Sequence, residues 1–472
     1  MSCETTDVAT VPSENSGILQ GARFVRLQFV DLANIVRYRI FPIKSFLAIL
    51  DKGSRPRINI PKAVLGVAFL RIAEGFSAIG EYYLVLDLST LRTLPYKPGH
   101  VSCMAFFEEK VGDESGKVEV DICPRTALKK AVERARDEGV EFLVGFEIEF
   151  ILLSSTSPVV PVHKLEHYMS SLALPAGSVA ETVLEEIVES LQECGIEVVM
   201  YHSEGAPGQY EIVTGPLPPL EAADALVHTR ETIYGIASKH GLRATLAPNV
   251  HDDSAGSGAH VHISVHSTNP DSNSSNICSN DTLSDLEASF VSGLIDEFPA
   301  LTALTLPLPS SYARVADGVW SGGTYICWGV DNREVPIRLC NPWPEKAGSR
   351  NFEVKMVDGT ANPYISLAGI MTAGTDGVRN ESGKTFTMKP LLDMSAIQKS
   401  EQGRAELGIS EDRKIPSSWE DARKRLKESD VFRRTFGSEM IEKYLALTET
   451  MANALDEPDS EEGKRSLLVQ MY

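Results

Sequence analysis

Three short segments of the chain alternate apolar residues with polar residues of the kind that bind metals and anions. The polar pairs are Glu147 with Glu149, His260 with His262, and Glu353 with Lys355. Residues i and i+2 of a β-strand share a face, and the intervening and flanking positions are Phe, Ile, Val or Met, apart from Ala259. The pattern therefore predicts one sheet with polar groups facing a cavity and an apolar face on a core.

The rest of the sequence predicts mainly strands in its N-terminal part and mainly helices after it. Before residue 112 strand patterns dominate, and a turn at Asp31–Asn34 joins two of them as a hairpin. After residue 112, apolar residues at helical spacing predict helices, for example over Thr126–Gly139. A polar, glycine-rich turn at 112–116 marks a candidate boundary. We predict a flexible tail over 1–19, an N-terminal domain over 20–112 and a C-terminal domain over 113–472.

Composition excludes several classes of partner. The net charge of −20 argues against a general nucleic-acid or anionic-membrane surface. No apolar run approaches the roughly 20 residues that span a bilayer, and the polar start is unlike a secretory signal. The seven cysteines are scattered, without a Cys-x-x-Cys motif, as in a reducing compartment. We therefore expect a cytoplasmic protein.

The acidic residues indicate a metal site. Glu147 and Glu149 would lie roughly 7 Å apart along a strand, and two carboxylates in a cleft repel each other unless protons or cations intervene. Glu204 and Glu211 bracket a Pro/Gly turn that can bring both acids to one point. Carboxylate ligands with little sulfur favour Mg²⁺ or Mn²⁺ over structural zinc.

Arginines and glycines add a binding site for an anion. Arg314, Arg333, Arg338 and Arg350 fall close together in the sequence, and guanidinium groups bind carboxylates and phosphates through paired hydrogen bonds. Gly256, shortly before His260, allows the backbone to approach a ligand closely. Acids for metals and arginines for phosphates together indicate phosphoryl transfer from a nucleotide. The chain has no Walker loop or Rossmann fingerprint, so the nucleotide site must be of another kind.

With these features the chain resembles the glutamine synthetase family. Within the family it is most like the type I branch and the related γ-glutamyl-amine and polyamine ligases. The resemblance runs from about Phe24 to the C-terminal helices. The motifs that carry it are Gly145–Phe150, Glu204–Glu211, Gly256–His262, Asn332–Arg338, Phe352–Lys355 and Ala361–Tyr364.

The resemblance implies a fold and an assembly. The fold would be α+β, with a small N-terminal β-grasp domain and a large α/β catalytic domain built on a curved antiparallel sheet. The protein would be a homo-oligomer, a dodecamer of two stacked hexameric rings. Each active site would lie between the N-terminal domain of one subunit and the sheet of the next.

The resemblance also implies ATP as co-substrate, a glutamate-like acid, an amine and two divalent ions, Mg or Mn. Glu149, Glu204 and Glu211 would hold the ion beside the acid substrate. The ion at the nucleotide phosphates would be held by Glu147, His260 and Glu353.

Further roles follow from the same motifs. Contacts to the nucleotide would come from His262, Ser264, Arg338 and Arg350. Contacts to the substrates would come from Gly256, Arg314, Trp320 and Lys355. The residues implied in catalysis are Arg314, Arg333, Arg338 and Lys355.

Departures from the family pattern concern the ammonium site above all. The flap acid that helps to deprotonate ammonium falls on Trp320, or on Ser321 if a small gap is allowed. The Asp-Gly-Ser-Ser latch is replaced by the sequence at 59–62, which begins with Asn59. Family arginines are replaced by Asn351 and Lys355, and a family lysine by Asn249. These changes remove the ammonium contacts and spare all six metal-ligand positions.

Three hypotheses remain open. The favoured one is an ATP-dependent carbon–nitrogen ligase that forms a γ-glutamyl amide from glutamate and an amine through a γ-glutamyl phosphate. The second is a glutamine synthetase that uses ammonium. The third is a catalytically silent binding or structural homologue. The six retained ligand positions argue against the third, because an acidic cluster without metal destabilises a fold.

Overall fold

The structure is a computed structural model that describes residues 17–51, 55–251, 253–269, 282–318, 320–342 and 348–472. The strands of these residues are β1 Phe24–Val30, β2 Val36–Pro42, β3 Arg57–Pro61, β4 Val67–Ala68, β5 Arg71–Ile72, β6 Glu81–Thr93, β7 His100–Glu108, β8 Val140–Thr156, β9 Val159–Pro161, β10 Val198–Ser203, β11 Gln209–Thr214, β12 Arg243–Thr245, β13 Val261–Ser267, β14 Trp328–Val330, β15 Ile337–Cys340 and β16 Asn351–Val354.

Helices become frequent only after the first sheet is complete. They are α1 Ile43–Leu50, α2 Pro124–Asp137, α3 Val179–Glu193, α4 Pro219–Lys239, α5 Asp285–Thr305, α6 Pro363–Arg379, α7 Glu401–Glu406, α8 Trp419–Glu428, α9 Asp430–Phe436, α10 Ser438–Leu455 and α11 Glu461–Met471.

The first sheet has the strand order β2-β1-β7-β6-β3. Strand β1 runs parallel to β7, and the other pairs are antiparallel. The predicted hairpin between β1 and β2 is confirmed, and Asp31 makes its turn: one carboxylate oxygen accepts hydrogen bonds from the backbone N–H groups of Ala33 and Ile35, both at 2.9 Å. The other oxygen pairs with Arg37 at 2.6 Å.

The second sheet contains nine strands, with the main order β10-β11-β8-β13-β16-β15-β14. Its pairs are antiparallel except at one end, where β14 and β15 run parallel. The 17-residue strand β8 is central and also pairs with the short strands β9 and β12. The expected α+β class is confirmed.

The predicted division of β8 into an apolar and a polar face holds. Phe146, Ile148 and Phe150 are buried, at most 3% exposed, and belong to the main hydrophobic core. Helices α2 and α4 pack against this strand. The side chains of Glu147 and Glu149 emerge on the opposite face because successive residues of a strand alternate.

The hydrophobic core continues across the predicted domain boundary. Phe107 of the first sheet and Leu128 of α2 belong to the same buried cluster as Phe146 of the second sheet. The boundary at residues 112 and 113 therefore stays a prediction. Residues 1–16 of the predicted tail lie outside the described residues. Among the described helices, none combines the length and apolar character that crossing a bilayer requires.

Helices α5 and α6 approach each other through glycine. A Cβ atom on Gly293 would lie 2.2 Å from the carbonyl oxygen of Ala373 and 2.7 Å from the amide nitrogen of Gly377. Backbone atoms cannot move aside as a flexible side chain can, so this crossing needs glycine on α5. Since α5 and α6 both belong to the core under the second sheet, the contact sets the position of that layer.

We expect Gly293→Ala to destabilise the protein by about 2 kcal/mol or more, because the added methyl group overpacks a backbone contact. Gly403→Ala on α7 is the matched control, since its Cβ would meet side-chain atoms only, Ser400 Oγ at 3.3 Å and Lys399 Cβ at 3.8 Å. Urea unfolding followed by circular dichroism measures both variants. Equal stability of the two would contradict the packing described for α5 and α6.

Candidate active site

A cavity of about 740 Å³ opens on the polar face of the second sheet. It gathers ten of the residues singled out from the sequence, which are Glu147, Glu149, Glu204, Glu211, Gly256, His260, Arg314, Trp320, Arg333 and Lys355. The other five do not line this cavity, and they are His262, Ser264, Arg338, Arg350 and Glu353.

Strand register explains why the acids meet. Glu211 of β11 stands directly opposite Glu149 of β8. On the other side of β8, the backbone N–H of Glu147 donates to the carbonyl oxygen of His260 at 3.1 Å. Strand β16 then places Glu353 opposite His262 of β13. Neighbouring side chains on one face of a sheet lie about 5 Å apart, so four strands bring these groups together.

Glu147 is held by two histidines. One oxygen lies 2.8 Å from His260 Nδ1, and the other lies 3.0 Å from His262 Nε2. Burial of Glu147 favours its neutral form, but the hydrogen bonds from His260 and His262 hold the pKa of this carboxyl well below its usual range. The Nδ1 atom of His262 also hydrogen-bonds the amide oxygen of Asn351 at 2.8 Å, so the asparagine that replaces a family arginine orients this ring.

Glu353 is fully buried and surrounded by positive groups. Lys355 Nζ donates to it at 3.0 Å, Arg338 forms a short ion pair with it, and His260 Nδ1 lies 3.3 Å away. Burial alone would raise the pKa of Glu353, but the charges of Lys355, His260 and Arg338 lower it. Glu353 therefore carries a negative charge and positions two of the cations that the sequence assigned to catalysis.

A second acidic cluster lies across the cavity, around His202. His202 Nε2 is 3.2 Å from Glu211 and Nδ1 is 3.6 Å from Glu204. The hydrogen bond to Glu211 raises the pKa of His202 to about 9. Burial and the charges of Glu149 and Glu211 raise the pKa of Glu204 to about 8. Without a cation, this cluster therefore retains protons at neutral pH.

The donor set fits divalent cations. Ligand atoms lie within 4.8 Å of one another in three overlapping groups, and the residues of these groups are Glu147 with His262 and Glu353, Glu147 with Glu211 and His260, and His202 with Glu204 and Glu211. The Nε2 atom of His260 is buried without a hydrogen-bond partner and lies 3.8 Å from Glu149. A buried imidazole nitrogen without a partner is an atom that a bound cation would satisfy.

Two glycines allow the closest backbone approach in the site. A Cβ on Gly256 would lie 2.6 Å from the carbonyl oxygen of Pro248 and 2.9 Å from the Arg314 side chain. A Cβ on Gly258 would lie 2.5 Å from His260 and 2.8 Å from the Arg314 guanidinium. The glycines before the histidine pair are therefore required sterically, because a side chain there would clash with Arg314 or His260.

Trp320 lies on a loop at the mouth of the cavity and is 56% exposed. Its φ angle of 57° is in the left-handed region, and its backbone N–H donates to Glu334 at 2.9 Å. The indole ring meets Tyr168 edge to face at 5.9 Å, and Tyr168 meets His202 in the same way at 5.8 Å. An aromatic wall thus runs from the loop to the second acidic cluster.

Two predicted nucleotide contacts are engaged elsewhere. The Arg350 guanidinium pairs with Glu287 of α5 at 2.6 Å and donates to the carbonyl oxygen of Pro342 at 2.8 Å. Ser264 shares a hydrogen bond of 2.8 Å with His266, on the same face of β13. Arg350 therefore connects the start of β16 to helix α5.

Three site residues were not singled out from the sequence. His202 completes the second acidic cluster, and Tyr168 completes the aromatic wall. Gln209 donates from its amide to Glu149 at 3.0 Å and to Ser257 at 3.1 Å. His202 could have been found from the sequence, because it lies near the end of β10, two residues before Glu204. Tyr168 comes from an irregular segment and carried no such signal.

Comparison with known proteins adds a family match. Residues 121–461 match the family model described as glutamine synthetase, catalytic domain. Protein fluG of Emericella nidulans is 32% identical over 461 residues, which cover 96% of this chain but 49% of that protein. The chain thus spans about half the length of fluG.

Two further similar proteins match this chain over most of their own length. Gamma-glutamylpolyamine synthetase GlnA3 of Streptomyces coelicolor is 29% identical over 378 residues, which cover 77% of each protein. A crystal structure of a novel glutamine synthase homolog matches with a TM-score of 0.77 and 25% identity, over 96% of this chain and 99% of that one.

We expect Mn²⁺ to raise the melting temperature more at pH 8 than at pH 6. The raised pKa of Glu204, about 8 against an ordinary 4.5, means that the metal-free fold loses stability as pH rises through this range. A bound cation replaces the retained protons, and it competes with them less well at the lower pH. Differential scanning fluorimetry with Mn²⁺ or chelator measures the shift.

Glu204→Gln is the companion variant, because it removes the titrating carboxyl. Its Mn²⁺-induced shift is expected to be smaller and less dependent on pH. An equal shift of the parent protein at both pH values would contradict proton competition at this cluster.

Proposed function

Since the chain belongs to the glutamine synthetase family, a family of ligases, we propose that it joins glutamate to an organic amine at the expense of ATP. One observation carries the proposal: the acidic clusters are intact, while the loop over them presents Trp320 where the family pattern has an acid. The chemistry of the metals is kept and the recognition of ammonium is not.

The proposed metal sites follow the two clusters. Glu149, Glu204 and Glu211 would hold the ion beside glutamate, and His202 is a further candidate ligand. Glu147, His260 and Glu353 would hold the ion at the nucleotide phosphates, with His262 as the additional candidate. When bound, the two ions would neutralise charge on the phosphates and on the γ-carboxylate.

The substrates would be positioned by the cationic side of the cavity. Arg314 and the backbone at Gly256 are proposed to bind the carboxylate of glutamate, because both face the cavity and Arg314 Nε is buried without a partner. Arg333 lines the cavity and has no ion-pair partner among the described residues, which suits charge that develops on a transferred phosphoryl group. Arg338 and Lys355 would act from their positions beside Glu353.

The reaction would proceed in two steps. The γ-carboxylate of glutamate attacks the γ-phosphorus of ATP, and ADP leaves, which gives γ-glutamyl phosphate. The amine nitrogen then attacks the acyl carbon, loses a proton and displaces phosphate. In both steps the protein mainly positions the reactants and neutralises charge.

The amine is proposed to bind against Trp320 and Tyr168. These rings offer an apolar or cation–π surface, which suits an alkyl, aryl or polyamine better than ammonium. Similarity to a γ-glutamylpolyamine synthetase supports this class of substrate. The alternative of a silent homologue is disfavoured, because the repulsion among Glu204, Glu149 and Glu211 costs stability unless protons or cations neutralise it, and a protein without a bound cation has no need of such a cluster.

The proposed assembly is a homo-oligomer of two stacked hexameric rings. Lys62, at the end of the segment that replaces the family latch, is paired with Glu109 at 2.6 Å. The segment at 59–62 contains no aspartate, and Lys62 neutralises the neighbouring Glu109, so this segment would not supply the latch acid to a neighbouring subunit.

His260→Ala is expected to weaken binding of ADP with Mg²⁺ by about tenfold or more, whereas Glu149→Ala leaves it nearly unchanged. The reason is that the two residues are proposed to serve different ions. Isothermal titration calorimetry measures the affinities, with Glu141→Ala as the control on the same strand outside this cavity. Equal losses in the His260 and Glu149 variants would refute the division into two sites.

The test of the proposed function is phosphate release from ATP with Mg²⁺, glutamate and a panel of ammonium, an alkylamine, an arylalkylamine and a diamine. We expect at least one organic amine to exceed ammonium by about tenfold or more in kcat/KM, which corresponds to about 1.4 kcal/mol. Mass spectrometry of the amide identifies the product.

Trp320→Glu should raise the use of ammonium a few-fold, because it restores one of the lost acids, and Trp320→Phe should not. Ammonium turnover as fast as that of any other amine would favour the glutamine synthetase alternative. Metal binding without turnover of any amine would favour the silent homologue.

A further inference from the structure

A second cavity, of about 640 Å³, lies between the first sheet and the helices behind the second sheet. Strands β1, β6 and β7 form one wall, and α2, α4 and the start of β8 form the other. It shares no lining residue with the active-site cavity. Its size falls within the range of about 300–1,000 Å³ that small-molecule sites occupy.

Arg92 of β6 faces this cavity without a counter-ion. Its Nη1 atom is buried and has no hydrogen-bond partner. Burial lowers the pKa of Arg92, and the opposing influence of Cys194, Asp224 and Glu221 does not offset it. Among the described residues, no carboxylate lies within ion-pair distance of Arg92. Arg92 is partly buried, and a guanidinium nitrogen that is removed from water without a hydrogen-bond acceptor is costly, so a bound anion would stabilise it.

The other three cations of the wall already have carboxylate partners. Lys129 is exposed and pairs with Glu119 at 3.7 Å and with Glu133 at 3.8 Å. Arg125 pairs with Asp87 at 2.8 Å and with Asp224 at 2.7 Å. Arg136 pairs with Glu141 at 3.2 Å. The two remaining lining acids, Glu133 and Glu221, are exposed, so water stabilises their charges. Among the described lining residues, Arg92 is therefore the cation that has no carboxylate partner and is available to an anionic ligand.

Two more lining groups are poorly satisfied. Gln28 is 4% exposed, and its amide donates to Met104 Sδ at 3.3 Å, although a thioether is a weak acceptor. His228 is 3% exposed, and its Nε2 atom is buried without a partner. Burial and the charge of Arg92 lower the pKa of His228 to about 3, so its ring is neutral. Buried polar groups are nearly always well hydrogen-bonded, and two unpartnered nitrogens, on Arg92 and His228, beside one weakly bonded amide, on Gln28, point to a missing partner in this cavity.

We propose that this cavity binds a small anion that bears a carboxylate or a phosphate group, with the charged group on Arg92. The guanidinium supplies the charge and the paired donors that both groups need. Gln28 and His228 supply uncharged polar contacts on either side of the gap. A ligand held this way would bridge the first sheet and α4, which meet at this cavity.

The test uses the full chain in chelator, so that the active site offers no metal to an anion. Succinate and inorganic phosphate are added separately at millimolar concentration, and the melting temperature is followed. We expect at least one of them to raise it by about 2 °C or more. Succinate alone would identify the carboxylate class, and phosphate alone the phosphate class.

Arg92→Met should abolish the shift, and Arg136→Met, which removes an exposed and paired cation at the rim, should retain it. A shift that persists in Arg92→Met places the anion elsewhere and overturns the proposal. No shift of the parent protein with either anion means that the cavity holds only water, which also overturns it. If Arg92→Met does not fold, Gln28→Met must reduce the shift, and an unchanged shift in that variant is contrary to the proposal.

Discussion

Repulsion among carboxylates on one face of the second sheet is the constraint on which the site depends. The ladder between β8 and β11 sets Glu149 against Glu211, and Glu204 lies close enough to be affected by both charges. The fold balances this repulsion in two ways. On one side Lys355 and Arg338 compensate Glu353. On the other, Glu204 and Glu211 have raised pKa values, so that protons or cations must complete the cluster.

The same constraint explains the apolar half of the molecule. A sheet that concentrates charge on one face must bury the other, and Ile148 and Phe150 are fully buried beneath the acids. Helices α2 and α4 cover that face and carry the layer formed by α5 and α6. The backbones of α5 and α6 are in close contact at Gly293. A displacement of that layer would therefore be transmitted to β8 and to the positions of the acids.

Sequence reasoning reached the strands that carry Glu147, His262 and Glu353 because alternation over a few residues is a local signal. The apolar spacing over Thr126–Gly139 likewise indicated helix α2, observed at Pro124–Asp137. Sequence reasoning did not reach contacts that depend on distant loops. Tyr168 meets Trp320 only through the tertiary fold, and Arg350 turns to Glu287 because the first turn of α5 happens to lie beside β16. Side-chain direction at such positions is set by packing, which no single segment contains.

Trp320 differs from the metal-site residues in what supports it. The acids stand on strands whose register fixes them, whereas Trp320 is held by one loop, a backbone hydrogen bond and the edge of Tyr168. A substitution there leaves the sheet and its charges untouched. Under the proposed function, selectivity for the amine would therefore be separately mutable from the capacity for phosphoryl transfer. Substitutions in this loop would change the amine one residue at a time and leave the acidic clusters in place.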